Sequence, residues 1–286
     1  MNAHKRDLSQ IIAVYLLLAL LGGITAEVMA GSFIFRAIVA DLIMTVCIYC
    51  ISLWKKNSSA YDAFWSVLPC LLTVWLWLKM GGTGWQIWQW ATVIMVNVWS
   101  WRLTWNWARG WSGWGHQDWR YIDLKEQNQR LYPLINFFGI HLFPTVIVFV
   151  ACLGLFDVAS AQEFSAALMI VGLVIGTGGI LLEFIADNQL AEFRRRSNPD
   201  RRDILDTGLW SVMRYPNYLG EMCFWWGLAI CGLGAGGEWW VAVGALAMVA
   251  LFVFVSIPMK DTHMRKVRPD LDTYHRRVPA FVPRWR

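Results

Sequence analysis

Eight apolar runs of about 20 residues limit what this sequence can fold into, because a helix of that length crosses the hydrocarbon core of a membrane. A hydrophobic share of 57% with only 16% charged residues is also typical of a membrane protein. The runs cover residues 11–29, 33–54, 62–79, 85–107, 133–156, 164–186, 219–235 and 238–258. We therefore predict an all-α integral membrane protein in which residues 1–286 form a single domain. It has about eight transmembrane helices, or about seven if one of the two short final runs does not span.

The positive charges are distributed asymmetrically between the two sides of these helices. If the first helix leaves the cytoplasm, the inner segments are residues 1–10, 54–61, 108–132, 187–218 and 259–286. All 25 Lys and Arg residues except Arg36 and Lys79 then lie in an inner segment or at the cytoplasmic end of a helix. This bias predicts that both termini are cytoplasmic, in a membrane of the bacterial inner or endoplasmic-reticulum type. It also accounts for the net charge of +5, so we expect no nucleic-acid partner.

Cysteine and histidine give no indication of a metal site. All six cysteines lie inside apolar runs, where a thiol behaves as a small hydrophobic side chain. The five histidines are scattered, and none is paired with another at the spacing of metal ligands. We therefore expect no metal cofactor.

Gly172 and Gly176 form a pattern of small residues one helical turn apart within the sixth apolar run. Such a pattern allows two transmembrane helices to approach closely. The pattern is common, so by itself it does not predict a particular helix–helix contact.

Residues 206–221 form a polar segment directly before an apolar run. Pro216 fixes its own φ angle and disfavours helix at Tyr215, which predicts that a helix begins at or just after Pro216. Asn217 and Glu221 are four residues apart and share one face of that helix. Polar groups at the mouth of a membrane helix are costly, which indicates that they hold a ligand.

A second polar pattern lies at the cytoplasmic end of the sixth run. Glu183 and Asp187 are four residues apart on one helical face, and Arg194 follows on the same face seven residues after Asp187. An arginine fork suits a phosphate, and a carboxylate suits ribose or amide hydrogens. Arg195 and Arg196 are interpreted as ordinary cytoplasmic anchors.

These residues carry a resemblance to a known family. Gly208-Leu-Trp and Arg214-Tyr-Pro-Asn-Tyr-Leu-Gly-Glu221 resemble the signature of the DUF1295 family, in which a His usually stands at the position of Tyr215. Those membrane proteins are related to steroid 5-alpha-reductases and, more distantly, to isoprenylcysteine methyltransferases. The similarity continues at residues 187–190 and 257–283, so the motif-bearing, reductase-like region covers about residues 165–286.

The resemblance implies an NADPH-dependent reductase that saturates a C=C bond conjugated to a carbonyl. The substrate would be lipophilic, steroid- or isoprenoid-like, and the cofactor would occupy a cytoplasm-facing groove. The implied cofactor-binding residues are Asp187, Leu190, Arg194, Arg214, Asn217, Tyr218, Glu221, His263, Arg265, Arg268 and Tyr274.

The proton donor is less well defined. The Gln-Glu pair of steroid reductases overlays best on Tyr61 and Asp62, whereas their tyrosine falls near Trp99–Arg102, where this chain has none. The candidate donors are therefore Asp62, Tyr61 and Tyr121. Asp41, alone in the middle of the second run, either pairs with Arg102 or lines the cavity.

Two other functions remain open at this point. Isoprenylcysteine methyltransferases share part of the signature, so an S-adenosylmethionine-dependent methyltransferase is one alternative. Tyr215 and the pair Lys260-Asp261 depart from the methyltransferase pattern. The other alternative is a non-catalytic membrane protein that binds lipids.

Overall fold

The computed structural model describes residues 3–81, 84–196, 203–268 and 270–281. Within these ranges the regular structure is helical and no strand occurs. The predicted all-α fold is therefore confirmed.

The described residues of the first half of the chain form four long helices and one short helix. The helices are α1 (Ala3–Val28), α2 (Phe33–Lys55), α3 (Phe64–Leu76), α4 (Ile87–Gly110) and α5 (Trp119–Gln127). Ser32 caps the start of α2 by accepting a hydrogen bond from the Phe35 N–H at 3.2 Å, and Lys56 ends this helix in a left-handed conformation. A 3₁₀ turn, Ser58–Tyr61, then leads into α3, which is extended by the π-helical turn Trp77–Gly81.

The predicted run 133–156 is helical but segmented. It contains α6 (Tyr132–Ile135), a π-helical stretch (Asn136–Leu142), α7 (Phe143–Ala151) and the beginning of α8 (Gly154–Ser160). π-helical geometry inside a helix is rare and often marks a functional position.

The last third of the chain carries the polar motifs. Its helices are α9 (Ala166–Arg196), α10 (Pro216–Gly234), α11 (Ala242–Leu251), α12 (Ile257–Val267) and α13 (Leu271–Arg277), with a π-helical turn, Phe252–Ser256, between α11 and α12. Helix α10 begins at Pro216, as the sequence predicted. Helix α9 continues unbroken to Arg196, so Asp187 and Arg194 do belong to one helix.

Among the described residues, six helical segments are long and apolar enough to span a membrane. They are Lys5–Val28, Phe33–Lys55, Ser58–Gly81, Tyr132–Ser160, Ala166–Arg196 and Trp239–Val267. Large apolar side chains such as Leu16, Val174 and Phe254 are more than half exposed, which suits contact with lipid. Helices α4 and α10 lie at the other two predicted spans but contain the polar residues described below, and the total of eight spans stays a prediction.

Glycines bring α9 and α10 into backbone contact. A Cβ atom on Gly227 would lie 2.5 Å from the Cα atom of Gly176, and one on Gly172 would lie 2.7 Å from the Gly227 carbonyl oxygen. The small residues Gly172 and Gly176 therefore lie at the close contact between α9 and α10. One turn further along, a Cβ atom on Gly179 would lie 2.4 Å from the Gly220 carbonyl oxygen. The glycines thus hold the motif-bearing ends of both helices together.

This packing predicts opposite outcomes for two adjacent substitutions. Gly179→Ala should lower the free energy of unfolding by about 1–3 kcal/mol, because its new methyl group collides with the α10 backbone. Gly178→Ala should be neutral or stabilising by up to about 1 kcal/mol, since nothing lies within 4 Å of its Cβ position and alanine favours helix. Chemical denaturation in detergent would measure both. Equal effects of the two variants would contradict the packing.

Candidate functional site

Arg102 on α4 lies at the centre of a buried ionic cluster. One of its terminal nitrogens is 2.8 Å from Glu183 Oε2, and the other donates a 2.9 Å hydrogen bond to Asp187 Oδ2. The three side chains are only 5–11% exposed. Glu183 and Asp187 do share one face of α9, because both reach the same guanidinium. Arg102 therefore does not pair with Asp41, which was one of the two expectations for that residue.

Asp187 also connects α9 to α10. Asn217 Nδ2 donates to Asp187 Oδ1 at 3.4 Å, and Asn106 Nδ2 donates to Asp187 Oδ2 at 3.2 Å. The Asn217 Oδ1 atom is buried and receives no hydrogen bond from any of the residues described. The structure thus brings together two predicted cofactor-binding residues and leaves an acceptor atom available between them.

Glu221 lies one turn deeper in α10 and is held by two indole groups. Trp99 Nε1 donates to Glu221 Oε2 at 3.0 Å, and Trp225 Nε1 donates to Glu221 Oε1 at 2.8 Å. The Trp99 ring stacks on Phe224 with ring centres 4.4 Å apart. Both carboxylate oxygens of Glu221 are therefore paired inside an aromatic environment.

The C-terminal tail packs on the polar segment 206–221. The Tyr274 hydroxyl donates to the Trp210 carbonyl oxygen at 2.6 Å, and burial raises the pKa of Tyr274 to about 12. The Arg214 N–H donates to the Pro279 carbonyl oxygen at 2.9 Å. Tyr274 therefore fixes the tail against the loop in front of α10, and its expected contact with the cofactor stays a prediction.

Tyr215, which replaces the family's usual His, forms a hydrogen bond with α12. Its hydroxyl donates to Asp261, and His275 Nε2 is 3.4 Å from the same carboxylate. Arg214 lies 3.9 Å from Asp261 on the other side. Burial and then the Asp261 contact raise the pKa of Tyr215, so the phenol remains a donor at neutral pH.

Lys260 is a residue of this region that the sequence did not identify as a site residue. Its ammonium group lies 5.0–5.5 Å from the ring centres of Trp210, Tyr215 and Tyr218. These cation–π contacts form an aromatic cage around the charge. A single lysine at the end of an apolar run does not predict such a cage, because the three rings of the cage come from another part of the chain.

The three predicted proton donors fall into two groups. The Tyr121 hydroxyl donates to Asp62 Oδ1, and Arg120 lies 3.9 Å from the same carboxylate. Burial, and then the charge of Asp62, raise the pKa of Tyr121 well above its ordinary value. The Tyr61 hydroxyl is instead 2.8 Å from Thr145 Oγ1 in the interior of the bundle.

The remaining predicted cofactor-binding residues are more dispersed. The Tyr218 ring stacks on Tyr215, with ring centres 5.5 Å apart, and Leu190 is half-buried on α9. The His263 ring stacks on the Trp119 ring. The Arg265 side chain forms an ion pair with Asp272 at 3.2 Å. The backbone N–H of Arg268 donates to the Met264 carbonyl oxygen. Arg194 is exposed and forms no ion pair with the residues described.

A small pocket opens between α4 and α9 beside the ionic cluster. Its volume is about 60 Å³, and its lining includes Arg102, Asn106, Arg109 and Asp187. Pockets for small-molecule ligands commonly measure about 300–1,000 Å³. The predicted groove for a whole dinucleotide therefore stays a prediction.

Comparisons with known proteins agree with the motif-based resemblance. The family model described as "Protein of unknown function (DUF1295)" matches residues 48–278. An uncharacterized protein of Schizosaccharomyces pombe is 26% identical to this chain over 260 residues, which cover 82% of this chain and 75% of that protein. No solved structure matches the chain. The matched range 48–278 contains the ionic cluster, the aromatic cage and the Tyr121–Asp62 pair.

Proposed function

The chain belongs to the DUF1295 family, and we propose that it is a membrane-embedded, NADPH-dependent reductase. It would saturate a C=C bond conjugated to a carbonyl in a lipophilic, steroid- or isoprenoid-like substrate. The observation that carries the proposal is the contact between Asn217 and Asp187. These residues are 30 positions apart, the resemblance assigns both to the cofactor, and they meet where the start of α10 packs against α9.

The residues at this contact suit the polar groups of a nicotinamide nucleotide. The unpaired Asn217 Oδ1 atom can accept a hydrogen bond from a carboxamide N–H, and the Asp187 carboxylate can accept from a ribose hydroxyl. Arg194, on the same helix and exposed, can donate two parallel hydrogen bonds to a phosphate. NADPH would supply the hydride.

We assign the proton-donating role to the Tyr121–Asp62 pair. Tyr121 is protonated at neutral pH, because burial and the Asp62 charge raise its pKa, and a protonated phenol can act as a general acid. The helix that contains Tyr121, α5, packs on α12, where Trp119 stacks on the predicted cofactor-binding residue His263 with ring centres 3.7 Å apart. The Tyr61 hydroxyl is instead hydrogen-bonded to Thr145 in the interior of the bundle.

The proposed site requires access to cytoplasmic NADPH. The distribution of Lys and Arg supports a topology in which both termini and the motif-bearing helix ends face the cytoplasm. Reporter fusions at residues 1 and 286 should therefore both report a cytoplasmic location. Termini on opposite faces would contradict the proposed eight-span topology.

A thermal-shift experiment tests the cofactor assignment. At 100 times its dissociation constant, NADPH should stabilise the detergent-purified protein by about 2.7 kcal/mol. Arg194→Ala should weaken this binding about tenfold, the low end for a charged hydrogen bond because Arg194 is exposed. The matched control is Arg196→Ala, two residues further along, since Arg196 already pairs with Glu192. If the two substitutions weaken NADPH binding equally, Arg194 does not contact the cofactor and acts only as a membrane anchor.

The second candidate is methyl transfer from S-adenosylmethionine. The aromatic cage favours it, because three aromatic rings that hold an ammonium can also hold a sulfonium cation. The Lys260 ammonium occupies this cage, however, so a sulfonium would have to displace it. Stabilisation by S-adenosylmethionine with no stabilisation by NADPH would overturn the reductase proposal and favour the methyltransferase.

A further inference from the structure

Lys260 on α12 is a half-buried cation that has no role in the proposed reductase site so far. Its ammonium group forms no ion pair and donates no hydrogen bond to the residues described. The groups that surround it are the rings of Trp210, Tyr215 and Tyr218, whose centres lie 5.0–5.5 Å away. An ammonium can donate three hydrogen bonds, so its donors remain available to a ligand.

The acidic residues of this region do not neutralise Lys260. Asp187 and Asp261 interact with it electrostatically, but Asp187 pairs with Arg102, and Asp261 accepts a hydrogen bond from Tyr215. A cation that is partly removed from water is unfavourable without an anion, and cation–π contacts compensate for only part of that cost. An anionic ligand would supply the missing negative charge.

The start of α10 adds partial positive charge beside this ammonium group. The first backbone hydrogen bond of α10 runs from the Leu219 N–H to the Tyr215 carbonyl oxygen, so the N–H groups of Asn217 and Tyr218 have no acceptor within the helix. Tyr218 is also the ring nearest to the ammonium, at 5.0 Å. The helix end and Lys260 are therefore neighbours, and both favour an anion.

The aromatic cage holds the ammonium in place without cancelling its charge. A carboxylate in the same position would fix the lysine equally well, but it would also repel a negatively charged ligand and compete with it for the three N–H donors. The cage therefore suits a lysine whose anionic partner is a ligand.

We propose that Lys260 binds the pyrophosphate of the dinucleotide, an assignment that rests on the proposed reductase function. Lysine commonly binds phosphate groups as a point charge. Asn217, which the resemblance assigns to the nicotinamide end, is adjacent to Tyr218 of the cage. In NADPH the pyrophosphate is linked directly to the nicotinamide ribose, whereas the 2′-phosphate belongs to the distant adenosine. The pyrophosphate is therefore the phosphate group closest to this position.

Calorimetric titration of the purified full-length protein tests this assignment. Lys260→Met keeps an unbranched side chain in the cage but removes the charge, so it should weaken NADPH and NADH binding by the same factor, about tenfold or more. Lys260→Arg restores a positive charge and should recover part of the affinity. Reduced nicotinamide riboside, which has no phosphate, should bind the wild type and Lys260→Met equally. The matched control is Lys266→Met, an exposed lysine on the same helix, which should leave every affinity unchanged.

Two results of these titrations would overturn the proposal. If the wild type and Lys260→Met bind both dinucleotides equally, Lys260 only packs in the cage. If the loss is confined to NADPH, Lys260 contacts the 2′-phosphate and the pyrophosphate assignment is wrong. Should Lys260→Met fail to fold, Lys260→Gln is a second neutral variant with the same expectations.

Inorganic pyrophosphate separates this proposal from the reductase proposal. It should raise the melting temperature of the wild type and of Lys266→Met, but not that of Lys260→Met. If pyrophosphate gives this pattern while NADPH does not bind, the reductase proposal fails and the phosphate site at Lys260 stands. If NADPH binds with no dependence on Lys260, the reverse holds.

Discussion

Replacement of Arg102 by methionine should lower the free energy of unfolding by about 3–5 kcal/mol, which is the usual cost of removing one partner from a buried ion pair. The loss is expected because Glu183 and Asp187 are almost fully buried and share Arg102 as their cation. Methionine fills much of the same volume, so a cavity contributes little to the effect. Denaturant titration in detergent, followed by far-UV circular dichroism, would measure the change.

Control variants can distinguish the loss of these ion pairs from a non-specific effect of a substitution in α4. Arg109→Met, seven residues along the same helix, removes an exposed side chain and should change stability by less than about 0.5 kcal/mol. Combining Arg102→Met with Glu183→Gln and Asp187→Asn removes the uncompensated charges and should recover part of the loss. If the triple variant is no more stable than Arg102→Met, the cost does not come from the buried carboxylates.

Glu221→Met should also be strongly destabilising. It leaves the indole N–H groups of Trp99 and Trp225 without an acceptor, and each orphaned buried donor costs about 1–3 kcal/mol. Glu221→Gln keeps one acceptor oxygen and should cost less. The same denaturant titration, followed by tryptophan fluorescence, would measure both variants. The exposed Glu238→Met is the control for loss of an acidic side chain and should have little effect.

A double substitution tests whether these two hydrogen bonds are the cause. Trp99→Phe removes one of the two donors, so adding it to Glu221→Met should cost less than Trp99→Phe costs by itself. Strict additivity of the two free-energy changes would mean that the Trp99–Glu221 contact contributes no stability.

The local features of the fold were predictable from the sequence. Apolar runs of about 20 residues predict helices, because a helix satisfies all its backbone hydrogen bonds within one segment. Pro216 marks the start of α10 through the geometry of its own ring. The common face of Glu183 and Asp187 follows from helical periodicity. Each of these predictions depends only on residues that are close together in the chain.

The partners of the polar residues were decided by the tertiary structure. Trp99 and Glu221 are 122 residues apart, and no local pattern indicates that the indole donates to the carboxylate. From the sequence, an ion pair between Asp41 and Arg102 was one possibility. In the structure α4 packs against α9, and Arg102 forms its ion pairs with Glu183 and Asp187. Tyr61 and Asp62 are adjacent in sequence, yet their side chains reach Thr145 and Tyr121 in different parts of the molecule.

The physical reason for this division is that hydropathy and periodicity fix where a helix lies in the chain and which residues share a face. They do not fix the helix's neighbours or its rotation about its own axis. Those depend on close contacts such as that between Gly176 and Gly227, which form only when distant segments pack together. The sequence therefore determined the helices and the polar faces of α9 and α10. Only the packing of the helices determined that Asp187 meets Asn217 and that Asp41 meets neither a cation nor a hydrogen-bond donor among the residues described.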